Sequence, residues 1–275
     1  MGVTVKFWKR APRVPLVRLT GMISADSSAL RRGLSLAASA PLLEQAFSMP
    51  RAKAVALAIN SPGGSPVQSS LIAARIRELA AEKELPVLAF VEDVAASGGY
   101  WLASAADEIY ADKASIIGSI GVISAGFGFT EAIAKLGVER RVYTAGENKS
   151  ILDPFKPEDP ADVARLDDIL NGLHGIFRGQ VESRRGAKLK AGDPDLFSGA
   201  FWTAEAALER GLIDGIGHFR PLLRERFGEK VRIVPIKAKQ PLLRRLGGGG
   251  FEAEQVAESL FAMADERLAR QRFGG

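Results

Sequence analysis

The sequence predicts an α/β protein with a mostly parallel β-sheet. Short apolar runs that suit buried strands alternate along the chain with amphipathic stretches that suit helices. This alternation is typical of strand–helix–strand crossover units, which place their strands parallel to one another. With 275 residues, the chain is long enough to form one large domain with a sizeable core.

The predicted strands are short runs rich in valine, isoleucine, leucine and alanine. Strands are predicted at residues 15–19, 52–60, 86–92, 109–111, 115–122, 140–143 and 231–235. The run at 52–60 is the clearest of them, and it ends in the turn sequence Ser-Pro-Gly-Gly at 61–64.

The predicted helices have apolar residues at helical spacing. They are expected at about 98–106, at 129–136 and in a long amphipathic stretch after Pro160. Another helix is capped by Thr203 and ends at Gly211. The helix after the strand at 52–60 has one apolar face, made of Leu71, Ile72, Ile76, Leu79 and Ala80.

Four consecutive glycines at 247–250 predict a hinge before a C-terminal helical arm. Residues 251–273 have apolar side chains at helical spacing, namely Val256, Leu260, Met263 and Leu268. Such a helix cannot bury its apolar face alone, so we expect it to dock on the body or on a neighbouring subunit. Residues 1–240 and 241–275 are therefore treated as a main domain and an appendage.

The composition excludes several kinds of chemistry. The chain has no cysteine, which rules out disulfides, thiol catalysis and cysteine-ligated metals. It has only two histidines, His174 and His218, and no HExxH motif, so a zinc hydrolase is not expected. No cofactor or metal site is predicted.

The charge pattern bears on possible partners and location. Basic residues cluster at 1–20 and 220–245, which can attract anionic lipid, so peripheral membrane contact is an expectation. Nucleic-acid binding is not expected, because no aromatic interleaving or helix-turn-helix pattern accompanies these clusters. No signal peptide is predicted, and the longest uncharged stretch, 114–130, is too short to span a bilayer. The expected location is cytoplasmic or peripheral at the inner membrane.

Ser97 lies in a glycine-flanked turn between a predicted strand and a predicted helix. Backbone N–H groups at a helix N-terminus are unpaired and favour negative charge, which suits a nucleophile whose attack creates an oxyanion. The same position also suits a serine that only caps the helix. The local sequence leaves both interpretations open.

A serine nucleophile also needs oxyanion donors and a base. Loops at the carboxyl ends of parallel strands share one edge of the sheet, so Gly63 or Gly64 can supply an N–H beside that of Gly98. His174 is expected to be a satisfied structural residue in a helix, and His218 a surface residue. Lysine is the other known base once burial favours its neutral form, and Lys149 follows a predicted strand.

Four motifs occur in order along the chain: Ser-Pro-Gly-Gly at 61–64, Ala-Ser-Gly-Gly-Tyr at 96–100, Gly-Ser-Ile-Gly-Val at 118–122 and Gly-Glu-Asn-Lys-Ser at 146–150. Their order and spacing resemble those of signal peptide peptidase A-type serine peptidases, the S49 family. The segment at 207–217 also resembles that family. In contrast to the membrane-bound members, no N-terminal anchor is expected from this sequence.

The resemblance implies a ClpP/crotonase-like fold for residues 1–240 and a Ser–Lys dyad. Ser97 matches the nucleophile, Lys149 the general base and Ser119 a second serine that orients the lysine, while Gly64 and Gly98 match the oxyanion donors. The family forms ring-like oligomers in which a neighbouring subunit can supply the lysine, so a homo-oligomer is expected. The implied substrates are unstructured, apolar peptides such as signal-peptide remnants.

Three other interpretations remain open. A relaxed G-x-S-x-G nucleophile elbow would pair Ser97 with one of the histidines, but its first glycine is missing. A crotonase-like acyl-CoA enzyme would share the fold and need no Ser–Lys pair. A non-proteolytic oligomeric scaffold would use the assembled ring only to bind partners.

Overall fold

A computed structural model describes residues 11–25 and 33–237, and its strands form one mixed, mostly parallel sheet. The eight strands are β1 (Arg13–Thr20), β2 (Val55–Ser61), β3 (Val87–Ala96), β4 (Glu108–Ala111), β5 (Ile116–Gly118), β6 (Phe201–Thr203), β7 (Gly215–Ile216) and β8 (Arg232–Pro235). Their order is β6-β5-β3-β2-β1-β8, and β4 pairs with β3 and β7. Every pairing is parallel except that of β5 with β6. The α/β prediction is therefore confirmed.

Seven α-helices accompany this sheet in the described part of the chain. They are α1 (Leu36–Phe47), α2 (Pro66–Lys83), α3 (Gly98–Ser104), α4 (Thr130–Lys135), α5 (Pro160–Arg185), α6 (Ala204–Glu209) and α7 (Phe219–Phe227). The starts of α2 and α5 follow from their sequence: Ser65 and Asp159 cap the helices, and a proline occupies the first turn of each.

The long strand β3 organises the site edge of the sheet. Its first half pairs with β4 from Leu88 to Val91, and its second half pairs with β5 from Val94 to Ala96. β2 follows β3 on the other side up to Ser61. The turns after β2, β3 and β5 therefore emerge together at one edge of the sheet.

Two apolar clusters cover the two faces of the sheet. The larger contains buried residues of α1, α2, α3 and α5, and the smaller lies under α7 around Leu223. In the larger cluster the Trp101 ring of α3 stacks on the Phe177 ring of α5, with ring centroids 4.7 Å apart. This stack joins α5 to the helix that follows Ser97.

Several element predictions need correction. Residues 140–143 form no strand and are exposed, because nothing in the described chain pairs with them. The strand predicted at 115–122 is paired only at Ile116–Gly118, since Gly118 and Ser119 both take positive φ values. Leu71 is exposed although its predicted helix is present. The predicted hinge and helix at 241–273 lie outside the described residues.

Candidate active site

Ser97 forms the turn between β3 and α3 and has an unusual backbone conformation. Its φ of 52° and ψ of −123° suit glycine, and such a conformation costs another residue about 1–3 kcal/mol. Two backbone hydrogen bonds hold it there. The Ser97 N–H donates to the Gly118 carbonyl at 2.8 Å, and the Ser97 carbonyl accepts from the Trp101 N–H at 3.0 Å.

The Ser97 hydroxyl does not cap the helix. Ser97 occupies the N-cap position of α3, but its side chain accepts no capping hydrogen bond. The capping interpretation left open by the sequence therefore does not hold. The half-buried side chain instead lines a cleft of about 560 Å³.

A buried phenol anchors the helix that follows Ser97. The Tyr100 hydroxyl donates to the Leu212 carbonyl at 2.7 Å, and its ring is fully buried. Burial raises the pKa of Tyr100, so the phenol stays protonated and keeps its role as a donor. This bond ties α3 to the segment before β7.

The glycine loop after β2 packs directly against Ser97. A Cβ placed on Gly63 would lie 2.8 Å from the Ser97 Cβ and 2.8 Å from the Gly98 nitrogen. A Cβ on Gly64 would lie 2.1 Å from the Ile23 carbonyl oxygen. Both glycines also have positive φ values, so this loop has no room for a side chain at either position.

The two predicted oxyanion donors line the same cleft as Ser97. Gly64 and Gly98 are both among its lining residues. Within residues 11–25 and 33–237, neither of their backbone N–H groups donates a hydrogen bond. The N–H of Gly63, in contrast, donates to the Ser61 hydroxyl at 3.2 Å. The N–H groups of Gly64 and Gly98 are therefore two donors at the cleft that have no acceptor among the described residues.

Ser119 lies in the same cleft, after strand β5. Its N–H donates to the Ala200 carbonyl at 2.7 Å, and its φ is 53°. Ser119 is only 8% exposed, and it lines the cleft although most of its surface is buried. The structure thus brings together four of the five predicted site residues.

Lys149 is the predicted site residue that the single chain does not bring to the cleft. It is exposed and does not line the cleft. It belongs to a segment, residues 121–159, in which every residue keeps part of its surface exposed; we call this segment the arm. No charged side chain of the described residues lines the Ser97 cleft, so the described part of one chain brings the predicted nucleophile and oxyanion donors together without the predicted base.

Neither histidine takes the place of a base. His218 precedes α7, its side chain is 68% exposed, and it contacts Asp112 at 3.2 Å, which agrees with the predicted surface position. His174 lies within α5, and its buried Nε2 has no hydrogen-bond partner in the described structure. The expectation that His174 is satisfied is therefore wrong. Neither residue lines the Ser97 cleft.

The sequence did not indicate the walls of the cleft. Met22, Trp101, Ile123 and Phe177 contribute apolar surface, and they come from four separate parts of the chain. Their only local signal is apolar character, which buried core residues share. The described residues contain no cluster of acidic or histidine side chains that could hold a metal ion.

Comparison with known proteins supports a peptidase family. The model of peptidase family S49 matches residues 80–229, which is more than half of the chain. The matched range includes Ser97, Ser119 and Lys149. The sheet and its flanking helices fit the ClpP/crotonase-like fold that this family implies.

Named relatives extend the match toward both ends. The chain is 51% identical over 271 residues to the Na⁺/H⁺ antiporter NhaA of Brucella abortus, covering 95% of this chain and 37% of that protein. It is 31% identical to the chloroplastic serine protease SPPA of Arabidopsis thaliana and 34% identical to protease 4 of Haemophilus influenzae, covering 74% and 66% of this chain.

The chain spans about a third of the length of each of these relatives, namely 37%, 30% and 29%. The antiporter name therefore describes a protein that is mostly outside the match. In the described ranges, no helix is both long enough and apolar enough to cross a membrane. The family match, together with the site it covers, shows that the chain belongs to peptidase family S49.

Proposed function

We propose that this chain is a serine endopeptidase that uses a Ser97–Lys149 dyad on unstructured, apolar peptides such as signal-peptide remnants. The observation that carries the proposal is the strained Ser97 turn: the Ser97 side chain lines a cleft with Gly64 and Gly98, whose N–H groups have no acceptor among the described residues. A scaffold would have no need for a serine in this costly conformation. A crotonase-like acyl-CoA enzyme is disfavoured by the peptidase family match.

The proposed chemistry starts with a neutral lysine. The Lys149 amine takes the proton of the Ser97 hydroxyl while Oγ attacks the carbonyl carbon of the peptide bond. The N–H groups of Gly64 and Gly98 stabilise the oxyanion, and the lysine ammonium then protonates the leaving amine. Water, deprotonated by the same lysine, hydrolyses the acyl-enzyme ester and releases Ser97.

We further propose that a neighbouring copy supplies Lys149 in a ring-like homo-oligomer. The support is that no base among the described residues lines the cleft of one chain, whereas Lys149 is exposed on the arm. The arm also exposes large apolar side chains, with Phe127 at 80% and Tyr143 at 91%. Large exposed apolar side chains on one segment favour burial against a partner, and enclosure there would favour the neutral amine.

The cleft walls support an apolar substrate class. Met22, Trp101, Ile123 and Phe177 provide apolar contact surface beside Ser97, and the described lining carries no charge. Burial of an apolar side chain of a peptide in this cleft would release it from water. An extended, unstructured peptide is required, because only such a chain can present its backbone carbonyl to the glycine loop.

The test is cleavage of a library of unstructured peptides, with products identified by mass spectrometry. We expect the wild-type chain to cut apolar peptides and Ser97→Ala to leave them intact. Circular dichroism controls for the fold of the variant. Equal product patterns from both proteins would remove Ser97 from the mechanism.

A further inference from the structure

We propose that Ser61 is a positioning residue that determines which N–H of the glycine loop serves the oxyanion. This proposal rests on the proposed function, in which Gly64 and Gly98 are the donors. Ser61 is the last residue of β2 and is completely buried. It does not line the cleft, so it acts through its neighbours rather than on the substrate.

The Ser61 hydroxyl connects two segments of the chain. Its Oγ donates to the Gly21 carbonyl at 2.7 Å and accepts from the Gly63 N–H at 3.2 Å. A hydroxyl has one proton and two lone pairs, so it makes both bonds at once. The first residue after β1 is thereby linked through one side chain to the loop that packs on Ser97.

These bonds fix the direction of the loop peptides. The N–H of Gly63 is occupied by Ser61, and the Gly63 carbonyl accepts from the Ile23 N–H at 2.8 Å. On the other side of Gly64, the Ser65 N–H donates to the Ile23 carbonyl at 2.8 Å. With both flanking peptides held, the N–H of Gly64 has one available direction and no acceptor within the described ranges.

The glycine loop packs so closely against Ser97 that a movement of the loop would also move Ser97. Gly63 leaves no space for a Cβ against Ser97 and Gly98, as described above. The Ser61 carbonyl packs just as closely against the start of α3, since a Cβ placed on Gly99 would lie 2.2 Å from the Ser61 carbonyl oxygen. The loop and the first turn of α3 therefore cannot shift independently.

Loss of the Ser61 hydroxyl would leave the Gly21 carbonyl and the Gly63 N–H, both buried, without this hydrogen-bond partner. A buried group without a hydrogen bond destabilises the fold, so we expect the Pro62–Gly63 peptide to rotate toward another partner. The Gly64 N–H belongs to the next peptide, so rotation of the Pro62–Gly63 peptide would move Gly63 and thereby displace the Gly64 N–H from the reacting carbonyl. Removal of one oxyanion donor lowers kcat by about 100- to 1,000-fold, and displacement should cost less, about 10- to 100-fold.

The experiment compares Ser61→Ala with a matched control, Ser39→Ala. Ser39 is also buried, and its hydroxyl donates to the Ser35 carbonyl at 2.8 Å in α1, away from the cleft. We expect Ser61→Ala to lower kcat about 10- to 100-fold with KM changed less than about twofold, and Ser39→Ala to leave both unchanged. Thermal unfolding monitors the stability of both variants.

A second measurement distinguishes loss of the oxyanion donor's position from a general loosening of the cleft. A peptide aldehyde adds to the Ser97 hydroxyl as a reversible hemiacetal whose oxygen occupies the oxyanion position. The matching peptide alcohol binds without forming this adduct. We expect Ser61→Ala to weaken aldehyde binding by about the same factor as kcat, with alcohol binding unchanged. If Ser61→Ala does not fold, Ser61→Cys retains the volume with a weaker hydrogen-bonding group and should show a smaller loss of the same kind.

The outcomes separate this proposal from the proposed function. Ser61→Ala or Ser61→Cys with unchanged kcat, or with aldehyde and alcohol binding weakened equally, would overturn the role of Ser61 alone. Ser97→Ala measured beside them tests the function. If Ser97→Ala still cleaved peptide at the wild-type rate, the proposed function itself would fail.

Discussion

Arg140 Nη2 lies 3.2 Å from Oδ2 of Asp153, and this ion pair joins the two ends of the arm loop that carries Lys149. The Asp153 side chain is only 3% exposed. The Arg140 guanidinium also stacks over the Phe155 ring, 4.6 Å from its centroid. The loop between residues 140 and 153 is therefore closed at its base by a charge pair and an aromatic contact.

We expect Arg140→Ala to reduce peptide cleavage by loosening this loop. The substitution leaves the buried Asp153 carboxylate without its cationic contact, which favours local opening of the arm. Because a small misplacement of a catalytic group can cost about 100-fold, we expect kcat to fall about 10- to 100-fold. Steady-state kinetics measure the rate, and limited proteolysis reports the opening of the arm.

Arg141→Ala is the matched control for this prediction. Arg141 is the next residue, and its partner Glu139 at 2.7 Å is as exposed as Arg141 itself. An exposed pair of this kind contributes little, so activity and protease resistance should stay at wild-type level. Equal losses in Arg140→Ala and Arg141→Ala would contradict a specific role for the Arg140–Asp153 pair.

We expect Ser97→Gly to be more stable than Ser97→Ala. The φ of 52° at Ser97 disfavours any side chain, so glycine relieves strain that alanine retains. Part of the gain is offset because glycine adds conformational freedom to the unfolded chain. The net difference in unfolding free energy should be about 1 kcal/mol, measured by urea denaturation, with both variants inactive. A less stable Ser97→Gly would show that the turn is not strained.

We expect Asp214→Asn to destabilise the fold strongly at neutral pH. The Asp214 carboxylate accepts hydrogen bonds from Arg185 Nη1 at 2.7 Å and from Nη2 at 3.2 Å, and the Arg185 side chain is 2% exposed. Removal of the carboxylate leaves this buried guanidinium uncompensated, which costs about 3–5 kcal/mol. Glu82→Gln at the exposed Glu82–Lys83 pair is the control and should not change the unfolding free energy measurably.

The same carboxylate predicts a pH dependence of stability. Burial acts to raise the pKa of Asp214, but hydrogen bonds from Arg185, Lys188 and the Ile109 N–H outweigh it and hold the pKa below its usual value. A depressed pKa in the folded state stabilises the protein above the unfolded pKa of about 3.9. This contribution is lost as pH falls through the folded pKa. The acid-induced fall in unfolding free energy should therefore be steeper for wild type than for Asp214→Asn.

Much of the fold follows from local signals in the sequence. The near-continuous apolar run at 52–60 has the composition of a central parallel strand, and it overlaps β2, which lies between two parallel neighbours. The Pro160 start of α5 follows from capping chemistry alone. The strand predicted at 140–143 failed because strand formation needs a pairing partner, which the strand propensity of a short segment does not supply.

The site was predictable where it depends on backbone turns. Glycines at 63, 64, 98 and 99 mark close approach of two loops, and the structure places them together at the edge of the sheet. The apolar walls were not predictable, because the contact between Trp101 and Phe177 joins residues far apart in sequence. The role of Ser61 was hidden for the same reason, since its partner Gly21 belongs to another strand end.

We expect two inactive variants to restore activity when they share one oligomer. If Lys149 acts across a subunit boundary, a site is complete when a Lys149→Ala subunit supplies Ser97 and its Ser97→Ala neighbour supplies Lys149. Random mixing of equal amounts in a ring gives this arrangement at about one quarter of the sites. Co-expression with two affinity tags isolates mixed oligomers, which should show about a quarter of the wild-type cleavage rate.

The control is a mixed oligomer of two differently tagged Ser97→Ala chains, which should stay inactive. Size-exclusion chromatography with light scattering confirms that both preparations have the wild-type mass. A dyad within one chain would leave every site of the mixed oligomer without one of its two residues, so the rate would stay at zero. Zero recovery in correctly assembled oligomers would place Lys149 and Ser97 of one chain in the same site and would require the exposed arm to fold back onto its own cleft.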